Sequence, residues 1–374
     1  MQRCLLTSDV IGRRTALEVQ SPNGSGLLVP AGARLGMHDV QALASRGVRQ
    51  VFLQDELFPE FVENHTLPVT VHLQAQAALR RLTAALEAPG DAPPMAGMRE
   101  LMRSVRHLVD EIVAADDGVG DFAPWQGGPP DRVEHVVDVA AISVQIGHFM
   151  GLPRDQLQRL CVGALLMDLG LAHVPAEALQ RPGPLDAPAV AAILGHPRDG
   201  WQMVHRSLPS VLPTSASVVL QHHERVDGSG YPEGRQGPDI YIFARIVAAA
   251  DVFAAIRSDR PHRRRFRPAE ILRQLREEAG TGLDRQVCEI LLEHVAIVQS
   301  GAISRLSDGS LAKVVAHSIG APLQPLCVVV GSAFDQPVRR RQVSLRGTNI
   351  FVDEILQAWP QSLVDAVQGD LSRV

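Results

Sequence analysis

Thirteen residues, HHERVDGSGYPEG from His222 to Gly234, set two adjacent histidines and a glutamate before a glycine-rich turn that carries Tyr231 and Pro232. Imidazole binds borderline divalent cations and makes a poor core filler, so paired histidines at the end of an apolar segment point to a site. Side chains of the same chemistry recur on both flanks. Asp131 and His135 stand four apart at the start of a helical segment and so share one face. Asp168 follows Met167 in LLMDLGL, and His196 precedes Pro197 where the AVAAILG helix is predicted to stop. Asp251 lies inside VAAADVFAAI. A carboxylate among such residues is costly to bury unpaired, and Asp168 raises the same difficulty. Carboxylates and imidazoles buried together are satisfied economically by a shared cation. The set holds no thiolate, which suits iron, manganese, zinc or nickel rather than a cysteine zinc site or an all-oxygen calcium cage. A carboxylate among several imidazoles can bridge two metals, and two metals about 3.5–4 Å apart form a clamp for in-line phosphoryl displacement.

These residues need a scaffold, and the hydrophobic pattern supplies one. From about Pro130 to 299 the chain reads as successive amphipathic or buried helices, including VEHVVDVAAISVQIGHFMGL, QLQRLCVGALLMDLGL and IFARIVAAADVFAAI. Residues 71–87 and 97–115 read as two helices separated by the Pro/Gly break EAPGDAPPMAG, and a second loop, DGVGDFAPWQGGPP, follows. Residues 1–66 mix β-like runs (CLLTSDV, SPNGSGLLVP, VRQVFLQ) with a helix, MHDVQALASRG, capped at Gly47, and Asn23-Gly24 marks a tight turn. From 301 the period returns to two, with ISRL and LAKVVAH around an Asp308-Gly309 turn, then PLCVVVG, RRQVSL and a short final helix. The predicted fold is mainly α: a helical bundle with a small α/β module before it and a small β appendage after it. The predicted divisions are 1–66, a helical linker region at 67–127, the bundle at 128–300, and 301–374.

Bulk composition narrows the function. The chain has 374 residues, is 45% hydrophobic and 21% charged, and carries a formal net charge of −5, so it can build a sizeable core and is not a bulk nucleic-acid binder. Cys4, Cys161, Cys288 and Cys327 are widely spaced, which excludes a CxxC zinc site and argues against a disulfide framework. There is no apolar leader at the start and no run of about 18 apolar residues, so a soluble, cytoplasmic protein is expected.

The order His135, Met167-Asp168, His196-Pro197, His222-His223-Glu224, Asp227-Gly-Ser-Gly-Tyr-Pro232, Asp251 and Arg260-Pro-His-Arg263 resembles the HD-GYP domain of the HD phosphohydrolase superfamily. The HHExxDGxGYP stretch is highly specific. The flanks SDVIGRRTALEV and RLSDGSLAKVV are similar, more weakly, to the small domains that accompany HD-GYP. The resemblance implies an HD-type helical bundle and a bacterial, metal-dependent phosphodiesterase that linearises the second messenger cyclic di-GMP. It implies two iron or manganese ions, or one, held by Asp131, His135, Asp168, His196, His222, His223 and Asp251. Asp168, Arg260 and Arg263 are the implied catalytic residues. Gly228, Gly230, Tyr231 and Pro232 shape the substrate wall with Arg260 and Arg263, which hold phosphate as bidentate guanidinium groups do. Glu224 is expected to orient a neighbouring ligand histidine. Arg264, Arg265 and Arg267 read as a solvated charge run, and His148, His173, His205 and His262 as non-ligands.

Three departures set the level of activity expected. Met167 replaces the first histidine of the HD pair, and a thioether is a poor ligand for these metals. Leu171 replaces a phosphate-contacting lysine, and Ala254 stands where a second aspartate is often found. Hydrolysis is therefore expected to be weakened. The alternative is an inactive chain that serves as a cyclic di-GMP receptor or as a scaffold for a signalling partner at the GYP surface. A phosphohydrolase of other nucleotides is a third reading.

Overall fold

The structure is a computed structural model. It describes the chain apart from residues 1, 7, 21–25, 49, 56, 59–60, 62–64, 88–93, 116–117, 123–131, 176–185, 259–264, 357 and 372–374. The Asn23-Gly24 turn lies outside the described residues.

The N-terminal module pairs β1 (Gln2–Leu5) with β4 (Gln50–Leu53) and β2 (Val19–Gln20) with β3 (Leu27–Val29), all antiparallel. Helix α1 (Met37–Ser45) lies between them, and Gly47 ends it at φ +79°, the left-handed conformation that glycine adopts without strain. Val10, Leu35, Leu43, Val51 and Leu53 form a small core of their own.

The two predicted linker helices are α2 (Val69–Glu87) and α3 (Met95–Ala115), which pack on each other and on the bundle. The bundle comprises α4 (Arg132–Phe149), α5 (Arg154–Leu166), α6 (Ala187–Ser207), α7 (Pro213–Gln221), α8 (Ile242–Arg257), α9 (Pro268–Glu278) and α10 (Arg285–His294). Side chains of α2 to α5, α8 and α10 share one continuous core. Helices α4 and α8 are apolar on nearly every side, with Val136 to Gly147 and Phe243 to Ala250 almost wholly buried, and they pack against each other at the centre. Asp186 caps α6 by accepting Ala189 N–H, and Asp284 caps α10 by accepting Val287 N–H.

Helix α6 does not stop at His196-Pro197 as the proline predicts; it runs through to Ser207. Pro197 is buried, and the packing of this helix on the Leu169–His173 turn and on α7 outweighs one missing backbone bond.

The C-terminal appendage is a five-stranded antiparallel sheet in the order β8-β7-β6-β5-β9, followed by α11 (Gln361–Leu371). Its strands are β5 (Ile303–Leu306), β6 (Leu311–Ala316), β7 (Leu326–Gly331), β8 (Pro337–Ser344) and β9 (Val352–Leu356). The Asp308-Gly309 turn joins β5 to β6 as expected, with Gly309 at φ +84° and Asp308 accepting Ser310 N–H. No helix among the described residues is long and apolar enough to cross a membrane.

A buried ion pair ties the two ends of the chain together. Lys313 Nζ on β6 donates to Asp55 Oδ2 at 2.6 Å, and both side chains are fully buried. Asp55 also accepts the N–H groups of Leu57 and Phe58 and the indole N–H of Trp359. Burial by itself would raise the Asp55 carboxyl; Lys313 and these donors hold it below the usual carboxylate range. Removing one partner of such a pair strands the other charge. Lys313→Met is expected to cost about 3–5 kcal/mol in chemical denaturation, with part recovered when Asp55→Asn is added. A loss below about 1 kcal/mol, the range of surface pairs, contradicts this view of the joint.

Candidate metal centre

His135 stands in the first turn of α4 and Asp251 in the middle of α8, and the contact between these helices brings His135 Nε2 to 2.7 Å from Asp251 Oδ1. Burial pushes the Asp251 carboxyl up. The His135 hydrogen bond and charge, followed by His223 and His222, outweigh it and hold the group well below the usual range.

His196 is aimed by its neighbour. In an α-helix the N–H of residue 197 would bond to the carbonyl of residue 193, but proline has no N–H. The freed Ile193 carbonyl accepts from His196 Nδ1 at 2.5 Å instead, which fixes the ring and turns Nε2 inward. His222 follows the end of α7 and is buried without exposure; its Nδ1 lies 3.1 Å from Val219 O and 3.2 Å from Val218 O. In the neutral form each ring thus carries its proton on Nδ1 and a lone pair on Nε2. Burial, then the neighbouring His223 and His196, lower the His222 pKa well below its usual value. Burial likewise lowers His223 to about 4. Both imidazoles are neutral near pH 7, the state in which they can bind a metal.

The two Nε2 atoms of His196 and His222 face each other at 3.3 Å. Asp168 Oδ1 stands 3.6 Å from the first and 3.8 Å from the second. One ring nitrogen from each of His196, His222 and His223 falls within 4.8 Å of the others. Two ring nitrogens and a carboxylate oxygen, all able to accept, therefore converge on one point among the described residues. Burial, and after it the Asp251 charge, push the Asp168 carboxyl upward, the mark of a carboxylate with too little positive charge nearby. The donor set fits a divalent cation.

Glycines make the approach possible. Gly170, two residues after Asp168, lies so close to α6 that a Cβ there would sit 2.0 Å from His196 O. Met167 ends α5 and turns into the core, 1% exposed, while the next residue turns its carboxylate to the histidines. Ala254 is buried and Leu171 half-buried.

The glycine-rich turn closes over His223. Gly230 packs against backbone, where a Cβ would meet Arg225 N at 2.4 Å and His223 O at 2.5 Å. Tyr231 stacks on the His223 ring with centroids 4.7 Å apart, and its N–H donates to His223 O. Gly228 is at φ +85°, and Asp227 accepts from Ser229 N–H and Oγ–H. Glu224 does not orient a histidine, as the sequence suggested. Its buried carboxylate accepts Glu233 N–H at 2.8 Å and Arg235 N–H at 2.9 Å, so it pins the far side of the loop. The pattern Glu-x₈-Glu-x-Arg gave no cue, because both donors are backbone.

Asp131, Arg260 and Arg263 lie outside the described residues. Three described arginines that the sequence did not single out bear on the centre. Arg132 acts on the Asp168 charge, Arg225 on His223 and Tyr231, and Arg198 donates to Pro232 O at 3.1 Å. Arg198 and Arg225 stand inside the two histidine motifs, two residues after His196 and His223, which was the available signal. His173 and His205 are exposed and remain apart from the cluster. Arg265 is half-buried and engaged with the sheet rather than solvated.

Comparison with known proteins shows what this part of the chain is similar to. Residues 125–287 match the HD domain. The chain is 34% identical over 212 residues to the cyclic di-GMP phosphodiesterase PA4108 of Pseudomonas aeruginosa, covering 56% of this chain and 51% of that protein. It is 33% identical over 160 residues to the 3'3'-cGAMP-specific phosphodiesterase 2 of Vibrio cholerae, covering 43% and 31%. It is 31% identical over 202 residues to the cyclic di-GMP phosphodiesterase response regulator RpfG of Xanthomonas campestris pv. campestris, covering 53% and 50%. The chain thus spans about half the length, or less, of these relatives. Residues 125–287 are thus similar to the HD domain, and the HHExxDGxGYP residues fold around one cluster within that stretch.

Proposed function

We propose that this protein is a metal-dependent phosphodiesterase that hydrolyses cyclic di-GMP, at a rate reduced by Met167 and Leu171. The observation that carries the proposal is the meeting of His196 Nε2 and His222 Nε2 at 3.3 Å beside the Asp168 carboxylate. Such a cluster calls for a cation, and the relatives to which the chain is similar are named as phosphodiesterases of cyclic dinucleotides.

His196, His222, His223 and Asp168 would hold one divalent ion, iron or manganese, and His135 with Asp251 would complete a second position together with Asp131. When bound, the metal supplies Lewis acidity: it activates water and offsets charge developing on phosphate. The protein's own part is placement. Tyr231, fixed on His223, offers a ring edge and face to a guanine, and Gly230 lets the backbone approach it. Arg260 and Arg263 would hold the phosphates, and Arg225 adds positive charge at the base of the same loop. Glu224 keeps the loop closed over the centre.

The second reading, an inactive receptor for cyclic di-GMP or a scaffold at the GYP surface, is favoured by one observation. Met167 is packed in the core and contributes no ligand. Turnover by the protein loaded anaerobically with iron or manganese separates the two, and Met167→His is expected to raise it. Cyclic di-GMP binding without turnover in either protein favours the receptor. Faster hydrolysis of 3'3'-cGAMP than of cyclic di-GMP would reassign the substrate.

A second test addresses the aiming of His196. In Pro197→Ala the new N–H claims Ile193 O, and the ring loses its anchor. Manganese affinity, measured by calorimetry, is expected to fall about 10-fold or more with thermal stability kept or raised. Unchanged affinity would show that the proline does not orient the ligand.

A further inference from the structure

The two edges of the C-terminal sheet are treated differently. At β9, Arg265 Nη2 donates to Ile355 O at 2.6 Å and Arg267 lies 3.6 Å from Asp353, so the approach to α9 occupies part of this edge. At the other edge β8 pairs with β7 and, among the described residues, with no further strand. Every residue from Pro337 to Gln342 is exposed. Leu345 N–H bonds to Pro325 O. By antiparallel alternation Val343 and Arg341 then face β7, while the N–H and C=O groups of Gln342 and Ser344 point outward.

The charge on this edge is uniform. Arg340 is engaged, donating to Leu57 O at 2.5 Å and lying over the Phe58 ring. Arg339 and Arg341 are exposed and pair with no described residue. Near the start of the strand, Phe334 is 85% exposed and Val338 is 38% exposed. Arginines on an edge repel a second copy of the same edge, a common guard against self-pairing. On the acidic β9 strand of another copy, Arg265 already takes the Ile355 carbonyl and Arg267 stands near Asp353, so that edge is a poor complement. The same arginines attract an acidic strand from elsewhere.

We propose that the β8 edge is a docking site for an acidic, extended segment of a partner protein, which joins the sheet as a sixth strand. Its backbone would bond to Gln342 and Ser344, its carboxylates would face Arg339 and Arg341, and an apolar residue would rest on Phe334 or Val338. The full chain is titrated with a blocked, labelled alternating Glu-Val heptapeptide and with its Lys-Val counterpart. Anisotropy reports binding, and hydrogen exchange reports the amides. The acidic peptide is expected to bind, more weakly as salt rises, and to slow exchange at Gln342 and Ser344 by about tenfold or more. Gln342→Pro removes an outward N–H without touching the β7 ladder, and is expected to abolish both effects at unchanged melting temperature. The Arg339→Glu, Arg341→Glu double variant is expected to prefer the lysine peptide, and it keeps the test open should the proline variant unfold. No binding of either peptide overturns the proposal. So does acidic-peptide binding without slowed exchange at Gln342 and Ser344, which is charge adhesion alone. Displacement of the peptide by phosphatidylglycerol vesicles in preference to acidic protein segments overturns it in favour of a lipid surface.

Discussion

Two imidazole nitrogens, 3.3 Å apart and facing one carboxylate, set the terms for the rest of this molecule. Acceptors buried in that way repel each other unless something positive stands between them. The fold spends much of its core holding them there. The backbone carbonyls behind His196 and His222 take the Nδ1 protons and so leave the inner nitrogens bare. The carbonyl behind His196 is free to do so because Pro197 gives up a backbone bond. A defect in one helix thereby becomes the orientation of a side chain.

The remaining parts follow from bringing three helix ends, the middles of two further helices and one turn to that point. Helices α4 and α8 must be apolar almost all round to meet at the centre, and the His135–Asp251 pair joins them there. Gly170 must be glycine for the Asp168 turn to lie on α6. The GYP loop is closed by a buried glutamate that binds two backbone amides and touches no histidine. The outer modules are fastened separately, by the fully buried Lys313–Asp55 pair and by Arg265 on the β9 edge.

Much of this was legible in the sequence. The helical bundle follows from period 3.6, and the appendage from the return to period two at 301. The paired histidines, His196, Asp168, Asp251 and His135 stand out as polar residues in apolar helices. The structure brings them into two adjoining groups. What escaped was decided by tertiary contact rather than by local pattern. A proline after His196 reads as a helix stop, and only burial of Pro197 against its neighbours carries the helix on to Ser207. Glu224 stands beside a ligand-type histidine, yet its partners are main-chain groups nine and eleven residues away, which no side-chain pattern encodes. Arg265 looked like part of a solvated charge run because its acceptor lies on a strand far along the chain.

The most direct measurement is an anomalous-difference map at the manganese or iron edge, from crystals grown anaerobically with that metal. The account requires a peak within bonding distance of the Nε2 atoms of both His196 and His222 and of an Asp168 oxygen. Metal-replete crystals with no peak there, and with those nitrogens still in contact, would contradict it, because the acceptors would then be held together by a proton and not by a cation.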